Sequence, residues 1–367
     1  MHLEAERDEL VEHSQAVLRV VSGRATHPVL GGVRISATAG RVELAGTDLE
    51  IFVAVTGEFS VAEEGVLVLP GKLFGEVLRS LPPGKVVVET RGSEAVIRGG
   101  KAEFSLSTLA AEDFPEFAEV QGHAVATAEA SDLGRALRQV VRAASTDEVR
   151  PVLTGVLWSF SEGTVRLVAT DSYRLALREV TLKEGPPEGD LIIPGRTLVE
   201  LGRHLTAPGT GGEMTIRIGE SQVGCVVGRT SLVSRLIEGE FPKYRSLVPD
   251  GYPNRLTVNR EEFAQAVQRV SIVAGQNTPV KIHLADQVRL TAVEAGIGEA
   301  VDDLEGASYD GEPMVVAFNP RFLGDGLDAL EGEQAVLEVM SPTKPGVLRG
   351  EDHPEFTYIA MPVRLSR

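Results

Sequence analysis

Pro151-Val152-Leu153-Thr154-Gly155-Val156, followed by Ala169-Thr170-Asp171-Ser172-Tyr173-Arg174-Leu175-Ala176, decides how this chain is read, because both stretches have earlier counterparts at one spacing. Pro28-Val29-Leu30-Gly31-Gly32-Val33 precedes the first by 123 residues (151 − 28), and Thr47-Asp48 precedes Thr170-Asp171 by 123 (171 − 48). Leu69-Pro70-Gly71-Lys72 recurs as Ile193-Pro194-Gly195-Arg196, and Glu112-Asp113-Phe114-Pro115 as Gly239-Glu240-Phe241-Pro242. Four markers in one order are the signature of a duplicated unit. The last third keeps the register. Asn259-Arg260-Glu261 falls where Ser131-Asp132 predicts a helix start, Thr278-Pro279-Val280 answers Arg150-Pro151-Val152, and Phe318-Asn319-Pro320-Arg321 stands in for Pro194-Gly195-Arg196. The chain reads as three copies of one domain, over residues 1–122, 123–251 and 252–367.

Each copy follows one pattern: a short strand, a helix, several alternating strands, a second helix, then more strands. In the second copy Ser131 is placed to cap a helix whose apolar face is Leu133, Leu137, Val140 and Val141. Gly155 to Val180 alternates with β-branched residues around a hairpin turn at Ser161-Glu162-Gly163. The fold class is therefore α+β, with two helices per copy packed on antiparallel sheets.

Composition narrows the function. The 367 residues are 43% hydrophobic and 24% charged, as in ordinary globular proteins. No apolar run approaches the ~20 residues of a membrane helix, so no membrane partner is expected. The start, MHLEAERDEL, is acidic and lacks an apolar secretory segment. A single cysteine, Cys225, leaves no internal disulfide framework and places the chain in a reducing cytoplasm. Its strand-like surroundings make it a core residue. The net charge of −17 argues against wrapping nucleic acid over the whole surface.

Catalytic tools are missing. No phosphate loop, HExxH, GxSxG or GxGxxG motif is present, and the seven histidines show no paired spacing, so neither cofactor nor metal is expected. Asp48 and Asp171 are one position in two copies; an Asx turn capping backbone amides explains them better than acid–base chemistry. The second helices carry a different signal. Lys72 and Arg79 lie two turns apart on one face, Arg196 and Arg203 repeat that register, and Arg321 continues it. Arg135, Arg138 and Arg142 add a basic face on the first helix of copy two, and Arg19 answers Arg142 in copy one. Basic helices within an acidic chain can line a locally positive surface, since charges are screened over ~8 Å at physiological salt.

With these residues in view, the whole chain resembles the β subunit of bacterial DNA polymerase III, the sliding-clamp family. The motifs that carry the resemblance are the Pro-Val-Leu unit, the stretch from Ala169 to Ala176, Gly239-Glu240-Phe241-Pro242-Lys243-Tyr244-Arg245, Ala317-Phe318-Asn319-Pro320 and Met361-Pro362-Val363-Arg364-Leu365. The resemblance implies a head-to-tail homodimeric ring around duplex DNA, opened by a clamp loader. It implies tethering of the replicative polymerase and other proteins that carry a clamp-binding motif, without catalysis. Arg24 would join the DNA-contacting set. A partner peptide would dock on Leu153, Thr170, Ser172, Tyr173, Arg174, Leu175, Pro242, Ser246, Leu247, Ile359, Met361, Pro362, Val363 and Arg364. Phe104, Ile272 and Val273 would form the apolar dimer contact. Ser172, Ser246 and the Ser366-Arg367 tail motivate an alternative: a divergent second clamp whose altered pocket evades an inhibitor. A hydrolase using Asp48 or Asp171 is the remaining alternative.

Overall fold

The Ser161-Glu162-Gly163 turn forms as the sequence predicts. In the computed structural model Glu162 and Gly163 have φ of 44° and 79°, the paired left-handed conformation that matches strand twist in tight hairpins. It joins Gly155–Ser161 to Thr164–Thr170 in antiparallel register. The structure describes residues 1–21, 27–116, 120, 124–186, 188–207, 211–248, 251–275 and 278–365.

The described residues form six α-helices: α1 (Arg7–Leu18), α2 (Gly71–Ser80), α3 (Ala130–Val140), α4 (Gly195–Leu205), α5 (Arg260–Ser271) and α6 (Pro320–Ala329). The chain divides into two compact units, one of Met1–Gly134, Leu182–Pro186 and Glu200–Leu236, the other of Arg135–Thr181, Pro187–Val199 and Ile237–Arg367.

The first unit holds an eight-stranded sheet in the order Ala124–Glu129, Glu213–Ile218, Gln222–Val227, Thr230–Arg235, Ile51–Glu58, Arg41–Thr47, Gly32–Thr38 and Gly65–Pro70. Its five-stranded sheet ends in Ala102–Ser107. The second unit holds a nine-stranded sheet in which Glu188–Pro194, Gly155–Ser161, Thr164–Thr170 and Arg174–Thr181 continue into His353–Ala360, Gly346–Gly350, Gln334–Val339, Asn254–Asn259 and Ser308–Asp310. Its four-stranded sheet ends in Gly298–Asp303. One join recurs in both units. Ile51 to Val55 pairs with Thr230 to Ser234 in the first, and Arg174 to Arg178 pairs with Phe356 to Ala360 in the second. Sheets thus run on from one repeat into the next, and compactness cuts through the middle repeat.

Helices lie on these sheets by their apolar faces. Phe74, Val77 and Leu78 of α2 are buried while Lys72, Glu76 and Arg79 are exposed; burying Phe74 alone contributes about 2–3 kcal/mol. Glycines permit two close approaches. A Cβ on Gly46 would come within 2.6 Å of Val17 Cγ1 under α1, and one on Gly326 of α6 within 2.7 Å of the Tyr358 ring. Cys225 is buried in its strand, and burial pushes its thiol up to about 12, so it is an inert core group.

One expectation is corrected. Ser131 does not cap α3; the helix begins at Ala130, directly after the strand Ala124–Glu129, and the Ala130 N–H donates to the Gly212 carbonyl at 2.9 Å. The Asn259 and Asn319 side chains do cap α5 and α6, each accepting two backbone N–H groups.

Glu200 anchors charge inside the first unit. It is buried, with Arg203 Nη1 at 2.8 Å, His204 Nε2 at 3.3 Å and Arg19 on its other oxygen lone pairs. Burial acts to raise its carboxyl, but the bonds from His204, Arg19 and Arg203 outweigh it and hold the group at about 2, below its ordinary 4.5. A carboxyl depressed on folding stabilises the protein above its unfolded pKa, and that contribution is lost as pH falls from 4.5 towards 2. Glu200→Gln is expected to lose on the order of 3 kcal/mol at neutral pH and to remove that part of the acid slope, read as thermal midpoints between pH 7 and pH 2. Parallel curves for both proteins would refute it.

Candidate functional site

The functional surface of the second unit starts at the corner between Thr164–Thr170 and Arg174–Thr181. Thr170 Oγ1 donates to the Arg174 carbonyl at 2.6 Å and accepts from the Ser172 N–H at 3.1 Å. Asp171 Oδ1 accepts from the N–H groups of Tyr173 and Arg174 at 2.9 and 3.0 Å. These bonds hold Ser172 at φ 77°, a left-handed conformation that costs a non-glycine residue about 1–2 kcal/mol. The first unit repeats the corner bond for bond. Thr47 Oγ1 donates to the Ile51 carbonyl, Leu49 N–H returns to Thr47, Asp48 Oδ1 accepts from Glu50 and Ile51, and Leu49 sits at φ 79°. Asp48 and Asp171 are turn-forming groups, as their repeat position indicates.

The corner shapes an apolar surface. Leu175 and Ile359 face each other across the paired strands and pack with Leu157, Val168, Ile192, Tyr244 and Val347 in one buried cluster. Leu153 is buried beside it at the end of Pro151–Leu153. Above this floor Tyr173, Leu247 and Met361 are 62%, 42% and 38% exposed, unusual for large apolar groups, and Pro242 and Ser246 are exposed. The terminal segment is tied down by the Met361 N–H on the Tyr173 carbonyl at 2.8 Å and the Val363 N–H on the Ala317 carbonyl at 2.7 Å. Pro362 and Val363 are half-buried, and Arg364 is exposed. Arg150, Lys243, Arg245 and Arg364 are also exposed, and Arg150 Nη1 donates to Ser172 Oγ at 3.0 Å.

Arg174 differs from its expected role as a surface contact. It is buried, paired with Asp171 at 3.0 Å and with Asp325 of α6, and its guanidinium lies 4.6 Å from the Phe322 ring centre. Tyr173 stacks on the same ring at 6.3 Å. Arg174 therefore positions the corner against α6. The sequence reading missed Phe322, Asp325, Tyr244 and Val347; the Asn319-Pro320 helix start was the available pointer to the first two.

The basic helix residues are placed as follows. Lys72 and Arg79 are exposed and line one groove of about 640 Å³ beside Leu18 and Val21 of the first unit. Arg138, Arg196 and Arg321 are exposed on α3, α4 and α6. Arg135 pairs with Glu331 at 3.2 Å, Arg142 with Asp328 at 3.3 Å, and Arg203 with Glu200. Arg24 and Ser366-Arg367 lie outside the described residues. Phe104 is half-buried on the edge strand Ala102–Ser107, Ile272 is 82% exposed at the end of α5, and Val273 follows it half-buried. Glu331, His353 and Glu355 gather their donor atoms within 4.8 Å of one another, but Arg178 answers them, 3.6 Å from Glu331 and 3.3 Å from Glu355.

Three family descriptions match in order along the chain: DNA polymerase III beta subunit, N-terminal domain, over residues 1–118; central domain, over 127–243; and C-terminal domain, over 245–364. The beta sliding clamp of Streptomyces coelicolor is 32% identical over 100% of both chains, and that of Bacillus subtilis strain 168 is 32% identical over 99% of this chain and 100% of its own. Among solved structures, the Bacillus subtilis sliding clamp superposes with a TM-score of 0.92 at 31% identity, covering 100% of each chain. The Bartonella birtlesii clamp bound to griselimycin gives 0.93 at 31%, again over 100% of each.

The bonding at the corner sets its own test. Asp171→Ala removes the single oxygen that accepts from two backbone N–H groups and the partner of Arg174, and is expected to cost about 1–3 kcal/mol, whereas Asp171→Asn keeps the amide bonds and costs about 1 kcal/mol or less. Chemical denaturation of both variants checks this ranking; equal losses would contradict it.

Proposed function

The chain belongs to the DNA polymerase III β-subunit family, the sliding clamps, and from that premise we propose which of its residues carry the clamp's work. A clamp is a non-catalytic processivity factor: it keeps a polymerase on its template. The three successive domain matches are the observation that carries the functional reading. The relatives named beta sliding clamps, similar over essentially the whole chain, do not favour the divergent second copy.

For the DNA side we propose a lining by Lys72, Arg79, Arg138, Arg196 and Arg321, supported by their exposure on successive helices. Arg24 is proposed to join this set on the family resemblance of its sequence alone. Arg135, Arg142 and Arg203 join it by exchanging Glu331, Asp328 and Glu200 for phosphates. Contacts of this kind position a duplex without reading its bases, which suits a protein that slides. With −17 net charge, the remaining surface is strongly acidic and repels DNA, so the duplex is held only where the basic helices face it.

The ring requires two copies. Among the described residues, Ala102–Ser107 and Gly298–Asp303 stand at the ends of their sheets, and Ile272 is 82% exposed. Edges of this kind are normally capped or paired. Head-to-tail pairing of copy one (1–122) with copy three (252–367) of a second chain would bring Phe104 onto Ile272 and Val273 and close a ring of six copies. A clamp loader would open that contact.

For partner tethering we propose that an extended peptide, a Gln followed by a Leu-Phe-like end, lays its apolar side chains over Leu175, Ile359 and Leu153. Leu247, Met361, Pro242 and Val363 would form the walls, and Tyr173, Thr170 and Ser172 the corner. Ser246, Pro362 and Arg364 border it, and Arg174 holds the corner in place. Adaptable Met361 suits a pocket that serves several polymerases and repair factors in the cytoplasm.

Topology provides the test. Loaded with a bacterial clamp loader and ATP, the protein is expected to co-elute with nicked circular plasmid on gel filtration and to leave when the plasmid is linearised. Equal retention on both DNA forms, or none on the circle, would overturn the reading.

A further inference from the structure

The first unit repeats more than the corner. Ala45, Phe52, Val68 and Val233 occupy the places that Val168, Leu175, Ile192 and Ile359 hold in the second unit, and they form a core cluster with Ala54 and Phe114. Phe52 pairs with Val233 across strands as Leu175 does with Ile359. Above this floor lies a groove of about 500 Å³, lined by Val29, Leu30, Leu49, Leu109, Asp113 and Pro115 among others. Leu49 is 49% exposed and held there at φ 79°, in the place of Ser172. An exposed leucine in a left-handed corner is doubly unfavourable for a residue that only packs.

Acidic groups outnumber basic ones around the groove, with exposed Arg235, whose N–H donates to the Glu50 carbonyl as that of Met361 does to Tyr173, the cation beside them. Glu50 takes the place of Tyr173 and Glu116 that of Lys243, both exposed, and Glu112 and Asp113 are exposed beside them. No Lys or Arg is among its described lining residues.

We propose that this groove is a second docking site, for an extended peptide that places one aliphatic or aromatic side chain against Leu49 and Leu109 and carries Lys or Arg beside it. The chemistry is carried over from the pocket around Leu175 and rests on that reading, while the charge preference is the groove's own. The two sites would let one clamp hold two partners without competition.

Methyl-resolved NMR of leucine-labelled full-length protein separates the sites. The probes are two capped peptides, Arg-Gln-Leu-Phe-Arg and Glu-Gln-Leu-Phe-Glu. The basic peptide is expected to shift the Leu30, Leu49 and Leu109 methyls saturably, with roughly tenfold higher affinity than the acidic one. Leu49→Asn keeps a residue that tolerates the left-handed corner; it should abolish these shifts and leave those at Leu153, Leu175 and Leu247 intact. Silent Leu49 and Leu109 methyls at millimolar basic peptide, equal response to the acidic peptide, or unchanged shifts in the variant would each overturn the proposal. Response at Leu49 with silence at Leu175 would support it and count against the docking pocket of the second unit.

Discussion

The functional surfaces of this chain depend on one local constraint: a threonine and an aspartate that satisfy the backbone of a strand-to-strand corner with their own side chains. Thr170 and Asp171 together satisfy three backbone N–H groups and one carbonyl, and Thr47 and Asp48 do the same. Side-chain bonds of this length hold the next residue in a conformation it would otherwise avoid. The chain then turns within three residues, so that Leu175 or Phe52 enters the core while the two residues after the aspartate, Ser172 and Tyr173 or Leu49 and Glu50, stay exposed. The apolar floor and its exposed walls follow from that geometry.

A second constraint is charge. Cations such as Lys72, Arg79, Arg138, Arg196 and Arg321 stand on helices whose other face is buried, while others such as Arg41, Lys101 and Arg217 stand exposed on strands and turns. Several of those cations are also structural. Glu200 gathers Arg19, Arg203 and His204, and Glu331 faces Arg135 and Arg178. Buried acids of this kind fix the direction of an arginine at the cost of part of its charge. The guanidiniums of Arg135, Arg142 and Arg203 thus serve the fold through Glu331, Asp328 and Glu200.

Much of this was legible in the sequence because the chain repeats. Repetition turned Asp48 and Asp171 from candidate catalysts into turn residues, and it marked the helices that carry Lys72, Arg79, Arg196 and Arg203. Long-range pairing was not legible. Nothing near Arg174 in the sequence announces Asp325 and Phe322, and nothing near Arg142 announces Asp328, because these contacts join segments more than 140 residues apart in the chain (325 − 174, 328 − 142). Ser131 was misread for a related reason: α3 already begins at Ala130, directly after a strand, and the Ala130 N–H bonds to the Gly212 carbonyl far along the chain. The likeness of the groove at Leu49 to the pocket at Leu175 also emerged only once strands had been paired, since Val233 and Ile359 come from the ends of later repeats.

The central claim is that the corner at Thr170-Asp171 builds a partner-docking pocket, and a crystal structure of the full chain with a peptide ending in Gln-Leu-Phe tests it most directly. The account predicts the peptide's Leu and Phe seated over Leu175 and Ile359, between Leu247 and Met361, with the corner bonds unchanged. A peptide bound elsewhere, or a corner that must open to admit it, would contradict the account.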